Sequence, residues 1–196
     1  KFGGATGNFN AHKFIFPQKN WISFSNIFIN SIGLKRNNFT TQIDHYDNYA
    51  QVFDILRRIN TILIDFCQDI WLYISNNYFK LKIVESHVGS STMPHKINPI
   101  NFENAEGNLK LANTLLEFFS RKLPISRLQR DLTDSTVLRN LGTIFGHCFV
   151  AFENILTGIQ KLDVNLTVIN KDLNDNYVVI VEGIQTILRK YGKEDA

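Results

Sequence analysis

Apolar residues recur at helical spacing along three long stretches of this chain. From Asp47 to Ile74 they follow the i, i+3, i+4, i+7 rule with no Gly or Pro, which predicts a helix of roughly 29 residues. A second helix is predicted over Pro99–Arg121, with Asn98 as its N-cap. Near-heptad spacing predicts a third helix from about Thr133 to Leu162. Helices this long and this apolar are typical of an all-α bundle.

The remaining segments predict shorter elements. A short helix is expected over Trp21–Ile32, stopped by Gly33, whereas the first twenty residues look irregular. The stretch Leu166–Tyr191 predicts one short and one longer helix, although its run Val178–Val181 also permits a strand. The expected fold is therefore an all-α bundle of long helices whose core is completed by other chains.

Composition narrows the class of protein. The 196 residues are 44% hydrophobic and 20% charged with a net charge of +3, which indicates a folded domain without a nucleic-acid or membrane surface. No apolar run has transmembrane length. Cys67 and Cys148 fall in apolar helical patterns, so we expect inert buried thiols and a reducing, cytoplasmic compartment. Because Met93 is the only methionine, the chain is expected to be a fragment.

Chemical groups are concentrated in the segment 89–104. Gly89 is followed by two serines and a threonine, whose backbone N–H groups could converge on one anion together with Lys96 and Asn98. A serine here could act as a general base if its alkoxide were stabilised. Neither an acyl-transfer elbow nor a Walker A loop fits the segment. The plain alternative is a solvated loop.

A second constellation spans residues 130–139. Ser135 and Arg139 are four apart and would share a helix face, and Arg130 precedes that helix. Two guanidinium groups and hydroxyls beside a helix N-terminus could bind a phosphate. The alternative is a capping turn with a surface salt bridge.

The segment 89–104 resembles the signature of the fumarase/aspartase lyase superfamily, Gly-Ser-Ser-x-Met-Pro-x-Lys-x-Asn-Pro with Glu four residues after the Pro. The resemblance implies that Ser90 is the general base that removes a proton beside a carboxylate. It also implies that Glu103 orients a general-acid histidine, and that three neighbours contact the substrate: Ser91, Lys96 and Asn98. None of the five histidines matches the family's acid, which belongs to an upstream Thr-x-His-Gly-Gln segment that the sequence lacks.

The similarity extends over nearly the whole chain, including Asn38–Gln42 and Leu123–Asn140, and indicates the branch whose substrates are phosphorylated nucleotides. It implies substrate contacts from Gln42 and Asn104, with phosphate contacts from Arg130, Ser135 and Arg139. Four further residues lie in binding stretches, though their side chains could serve packing alone: Ile97, Thr136, Val137 and Leu138.

The resemblance also implies fumarate release and a homotetramer with shared active sites, with no metal and no organic cofactor. Residues 1–196 would be a central helical domain that continues into a C-terminal helical domain near 163–196. Two rival hypotheses are another fumarate-releasing or lactonising lyase of the superfamily, and a non-catalytic helical scaffold.

Overall fold

The computed structural model describes residues 1–82 and 98–193, and the regular structure within them is mostly helical. The helices are α1 (Asn10–Ile15), α2 (Trp21–Ser31), α3 (Asp47–Ser75), α4 (Ile100–Lys122), α5 (Thr133–Leu138), α6 (Leu141–Gln160), α7 (Leu166–Asp175) and α8 (Val181–Lys190). A 3-10 turn covers Tyr177–Ile180, and two short strands are β1 (Phe79–Leu81) and β2 (Leu162–Val164). The all-α prediction is confirmed, as is the long helix that begins at Asp47.

The chain divides into two compact units, and the first comprises Lys1–Ile64 with Glu106–Ala151. Its core is a cluster of buried side chains from α3, α4, α5 and α6 and from the residue that follows α4: Phe53, Leu116, Phe119, Val137, Ile144 and Leu123. The rings of Phe53 and Phe119 meet edge to face with centroids 5.8 Å apart. Such aromatic pairs add to the stabilisation that burial of their apolar area provides. This core fixes α5 against the helices around it.

The N-terminal segment of this unit is more ordered than the sequence indicated, because it contains α1. Gly7 lies directly against the backbone of residues 40 and 41, and a Cβ atom there would come within 2.1 Å of the Thr40 carbonyl oxygen. Its φ of +87° is also one that L residues rarely adopt. Helix α2 begins where predicted, with the Asn20 side chain accepting a hydrogen bond from the Ser23 N–H at 2.9 Å. It ends before Gly33, whose φ is +76°.

The prediction of one continuous helix from Thr133 to Leu162 is wrong. Helix α5 ends at Leu138, and α6 begins at Leu141 and ends at Gln160. Asn140 makes the break: its N–H donates to the Val137 carbonyl at 3.0 Å, and its side-chain amide donates to the Thr136 carbonyl at 3.2 Å. Asparagine commonly diverts backbone groups from helical pairing in this way.

The second unit comprises Asp65–Ala105 with the chain from Phe152 onward. Here β1 and β2 pair antiparallel, with Phe79 opposite Val164. The buried Asn165 reinforces the pair, since its N–H and its side-chain amide donate to the carbonyls of Tyr78 and Asn77, each at 2.8 Å. The strand alternative for Val178–Val181 is wrong, because this run forms the 3-10 turn and the start of α8.

A stripe of apolar side chains on α3 faces solvent in the first unit. Val52, Ile55, Ile59 and Ile62 are 55%, 50%, 45% and 69% exposed. Their spacing of three, four and three residues is that of the a and d positions of a heptad. We call these four residues the α3 stripe. Across the described ranges, no helix is both long and apolar enough to traverse a lipid bilayer.

Candidate active site

The predicted phosphate-binding residues lie at the start and end of α5, in the first unit. Asp134 occupies the first turn of this helix and is 4% exposed. Its Oδ1 lies 3.7 Å from Nη2 of Arg130 and accepts a hydrogen bond from the Ser135 N–H at 2.7 Å. Its Oδ2 accepts a hydrogen bond from the Tyr46 hydroxyl at 3.0 Å. Arg130 and Ser135 are thus positioned by a buried carboxylate to which the sequence analysis gave no role.

Tyr46 connects α5 to the segment that precedes α3. Burial raises the pKa of its phenol, and the hydrogen bond to Asp134 and the negative charge of that carboxylate raise it further. The positive charge of the nearby Arg130 lowers this pKa in part. The Tyr46 hydroxyl therefore remains a neutral donor throughout the physiological pH range. Its backbone has a φ of +59°, a left-handed conformation that is uncommon outside glycine.

The turn before α5 is organised by Asp131. Its Oδ1 accepts hydrogen bonds from the Thr133 hydroxyl and from the Thr133 N–H, the latter at 3.0 Å. Its Oδ2 accepts from Nε of Arg127 at 3.2 Å. The pKa of Asp131 is lowered to about 2, chiefly by the hydrogen bond from the Thr133 hydroxyl. Two backbone N–H groups at this end of α5, those of Thr133 and Ser135, are thus already bonded to carboxylates, so side chains would have to provide most of a phosphate site.

Gln42 contacts Gln129, the residue that precedes Arg130, although 87 positions separate the two glutamines in sequence. The Gln42 N–H donates to Oε1 of Gln129 at 3.1 Å, and the Thr41 hydroxyl donates to the Gln129 carbonyl at 2.8 Å. The Gln42 carbonyl accepts a hydrogen bond from the Lys1 ammonium group. Its side chain is exposed. The structure therefore places the predicted substrate-binding Gln42 against the residue next to the predicted phosphate-binding Arg130.

The other predicted residues of α5 differ in their surroundings. Ser135 is half-buried and Thr136 is exposed, whereas Val137 belongs to the hydrophobic core and Leu138 packs against it. Arg139 is exposed and forms the C-cap of the helix. Side chains at 137 and 138 thus hold α5 in place, and those at 135, 136 and 139 have access to solvent.

The second unit contains the predicted residues at the start of α4. Helix α4 begins one residue later than predicted, at Ile100, and the Pro99 carbonyl accepts the N–H groups of Phe102 and Glu103 at 2.9 and 3.1 Å. Glu103 lies in the first turn of α4, where a carboxylate complements the helix dipole. Its Oε1 accepts a hydrogen bond from Nε1 of Trp71 at 3.1 Å. Asn98 and Asn104 are exposed.

Four of the predicted site residues lie outside the described residues: Ser90, Ser91, Lys96 and Ile97. Within the described ranges, no group of three or more His, Cys, Asp or Glu side chains could hold a metal ion. The two cysteines are buried free thiols, as predicted, and burial raises the pKa of Cys148.

Sequence reasoning missed Tyr46, Gln129 and Asp134. The one signal in the sequence was that Asp134 follows Arg130 by four residues, a spacing that brings opposite charges together on a helix. Tyr46 and Gln129 gave no such signal, because their roles depend on contacts between distant segments.

Comparison with known proteins assigns the chain to a family. The family model described as "Lyase" matches residues 1–113, and the model described as "Adenylosuccinate lyase C-terminal" matches residues 126–196. The chain belongs to the lyase family.

The curated relatives of the chain have a more specific name than the family model. The chain is 59% identical to adenylosuccinate lyase of Dictyostelium discoideum over 194 residues, which cover 98% of this chain and 42% of that protein. It is 51% identical to adenylosuccinate lyase of Escherichia coli strain K12 over 99% of this chain and 42% of that protein. Identity to adenylosuccinate lyase of Legionella pneumophila strain Corby is 51% over 100% of the chain and 43% of that protein. The chain therefore spans less than half the length of these curated relatives.

Proposed function

We propose that the full-length protein is a carbon–nitrogen lyase with adenylosuccinate lyase activity. It would release fumarate from adenylosuccinate to give AMP, and from succinyl-aminoimidazole carboxamide ribotide to give the carboxamide ribotide, in purine nucleotide biosynthesis. The observation that carries this proposal is the 59% identity to an adenylosuccinate lyase across 98% of the chain. The proximity of Gln42 to the Arg130 segment supports it, because residues predicted to bind one substrate should lie together.

In the proposed reaction, Ser90 removes a proton from the carbon beside a substrate carboxylate. The electron pair then forms the double bond of fumarate as the carbon–nitrogen bond breaks. A general-acid histidine that is not among these 196 residues would protonate the leaving nitrogen. Negative charge develops on the carboxylate, and Lys96, Asn98 and backbone N–H groups would stabilise it. Acid–base elimination of this kind requires neither a metal nor an organic cofactor.

The remaining residues are proposed to position the nucleotide. Arg139 and the hydroxyl of Ser135 would bind the phosphate together with Arg130, whose guanidinium also contacts Asp134. Gln42, Ser91 and Asn104 would contact the rest of the substrate. Four further residues belong to the stretches proposed to bind it: Ile97, Thr136, Val137 and Leu138. Glu103 would orient the general-acid histidine, and the Trp71 indole would hold the Glu103 carboxylate in place.

We also propose a cytoplasmic homotetramer in which each active site draws residues from several chains. The α3 stripe supports this assembly, because an exposed heptad row of Val and Ile is typical of a surface that another helix covers. The expected division of the sequence is a central helical domain that continues into a second helical domain near residues 163–196.

The test is a kinetic comparison of full-length variants, following loss of adenylosuccinate by absorbance. Ser90→Ala should bind substrate but lose nearly all turnover, while Ser75→Ala, at the exposed end of α3, should keep wild-type rates. Arg139→Met should raise the Michaelis constant sharply. Full activity of Ser90→Ala would refute the base assignment, and an unchanged Michaelis constant in Arg139→Met would favour a superfamily lyase with an unphosphorylated substrate. If the wild-type protein released no fumarate, the result would favour the hypothesis of a non-catalytic helical scaffold.

A further inference from the structure

The first unit contains a cavity of about 470 Å³ between the N-terminal segment and residues 36–45. Three of its lining side chains are basic, namely Lys13, Arg36 and His45. Among the described residues that line it, none is Asp or Glu. Its volume falls within the range of small-molecule sites. We call it the Arg36 cavity.

Arg36 is the most informative residue of the cavity because it is 7% exposed and makes no ion pair within the described chain. Its guanidinium donates to neutral acceptors only: Oδ1 of Asn26 at 2.9 Å, Oδ1 of Asn38 at 2.8 Å, and the carbonyls of Phe2 and Asn37 at 3.0 and 3.4 Å. A guanidinium group has five N–H donors, so these four hydrogen bonds leave one N–H without an acceptor in the described chain. A buried positive charge without an anion is unfavourable.

The other walls of the cavity combine apolar surface with an unused hydroxyl. Phe9, Ile22 and Phe39 contribute apolar side chains, and the Arg36 guanidinium lies 5.6 Å from the centre of the Phe9 ring. Oγ1 of Thr40 is buried and makes no hydrogen bond in the described part of the molecule. Buried polar atoms are nearly always satisfied, and one at a cavity wall is a candidate ligand contact.

We propose that the Arg36 cavity binds a small organic oxyanion, a carboxylate or phosphate carried on a planar or apolar group. The oxyanion would accept hydrogen bonds from Arg36 and Lys13, with His45 beside it, and the planar group would lie against Phe9 and Phe39. This site lies outside the residues proposed for the lyase reaction, and the inference does not depend on that reaction.

Calorimetric titration of the full-length protein tests the proposal with three simple probes. Benzoate carries a carboxylate on a ring, phenyl phosphate carries a phosphate, and benzyl alcohol carries neither. At least one of the two anions should bind saturably, and at least tenfold more tightly than benzyl alcohol, because hydrogen bonds to charged groups are the stronger kind. The relative affinity of the anions identifies which oxyanion the cavity prefers. Absence of saturable binding, or equal affinity for benzyl alcohol, would overturn the proposal.

Variants locate the binding. Lys13→Gln and Arg36→Met should each weaken the preferred anion about tenfold or more, while Lys35→Gln, which removes an exposed charge outside the cavity, should change it less than twofold. If loss of the buried Arg36 unfolds the protein, Lys13→Gln still decides the question because Lys13 is exposed. Unchanged affinity in Lys13→Gln would refute the site. Loss of binding in Arg139→Met but not in Lys13→Gln would place the anion in the proposed reaction site instead.

Discussion

Tyr46→Phe is the most direct probe of the arrangement around α5. The change removes the hydroxyl that donates to Oδ2 of Asp134 at 3.0 Å and keeps the ring that packs against the core. Hydrogen bonds to charged groups contribute about 1.5–3 kcal/mol. Because Tyr46 is half-buried, we expect the lower end of that range, a loss of about 1.5 kcal/mol in the free energy of unfolding.

Urea denaturation of the full-length protein measures this loss, and Tyr49→Phe is the matched control. Tyr49 is one helical turn away and 47% exposed, and its ring centre is 5.6 Å from that of Tyr46. Removal of its exposed hydroxyl should change the stability by less than about 0.5 kcal/mol. Equal effects of the two substitutions would refute the role of the Tyr46 hydroxyl.

A double-mutant cycle of Tyr46→Phe with Asp134→Asn measures the interaction energy between these two side chains. Asp134→Asn also weakens the contact with Arg130, but that contribution should stay below about 1 kcal/mol because the Arg130 side chain is 34% exposed and its nitrogen is 3.7 Å away. The coupling between Tyr46→Phe and Asp134→Asn should be about 1 kcal/mol. A coupling near zero would mean that the two side chains stabilise the fold independently.

The pH dependence provides a separate check on Tyr46. Its folded pKa is raised above 10.0, so the folded protein retains the phenol proton at pH values where the unfolded chain releases it. This contribution is complete below pH 10 and is lost as the pH rises through the folded pKa. The stability difference between wild type and Tyr46→Phe should therefore shrink above pH 10. A constant difference from pH 8 to 11 would contradict the assignment.

Two further predictions concern α5 and α6. Thr133→Val should raise the pKa of Asp131 from about 2 toward its ordinary value of 3.8, which an NMR titration of the carboxyl carbon measures; an unmoved pKa would exclude the Thr133 hydroxyl as the main cause. Gly158→Ala should destabilise the protein by about 1–3 kcal/mol in urea, because the new Cβ would lie 2.7 Å from the Phe102 ring. Gly107→Ala, where a Cβ meets nothing within 4 Å, is its control and should be neutral or slightly stabilising.

The elements that could be predicted from the sequence are those set by local pattern. The apolar period of α3 runs unbroken from Asp47 to Ser75, so hydrophobic spacing alone located this helix. The break at Asn140 was missed because the heptad spacing continues through it, while the side chain of that one residue redirects the backbone. Strands β1 and β2 are three residues each, too short for alternation to be visible.

The candidate site follows the same division. Motif resemblance predicted phosphate contacts from Arg130, Ser135 and Arg139, because these residues lie close together in sequence. Tyr46 was not predicted, since its contact with Asp134 spans 88 positions and depends on how the core packs. Residues that support a site from distant segments have no local sequence pattern, so only the three-dimensional structure identifies them.

The α3 stripe affects how stability itself is measured for this protein. The four Val and Ile side chains of the stripe expose apolar surface to water, and this exposure costs about 25 cal/mol of free energy for each Å². Any association that covers the stripe therefore favours the folded state by mass action, and the unfolding midpoint should rise with protein concentration. Midpoints of two variants are comparable only at a common concentration, and a dilution series separates the stability of the fold from the strength of the association.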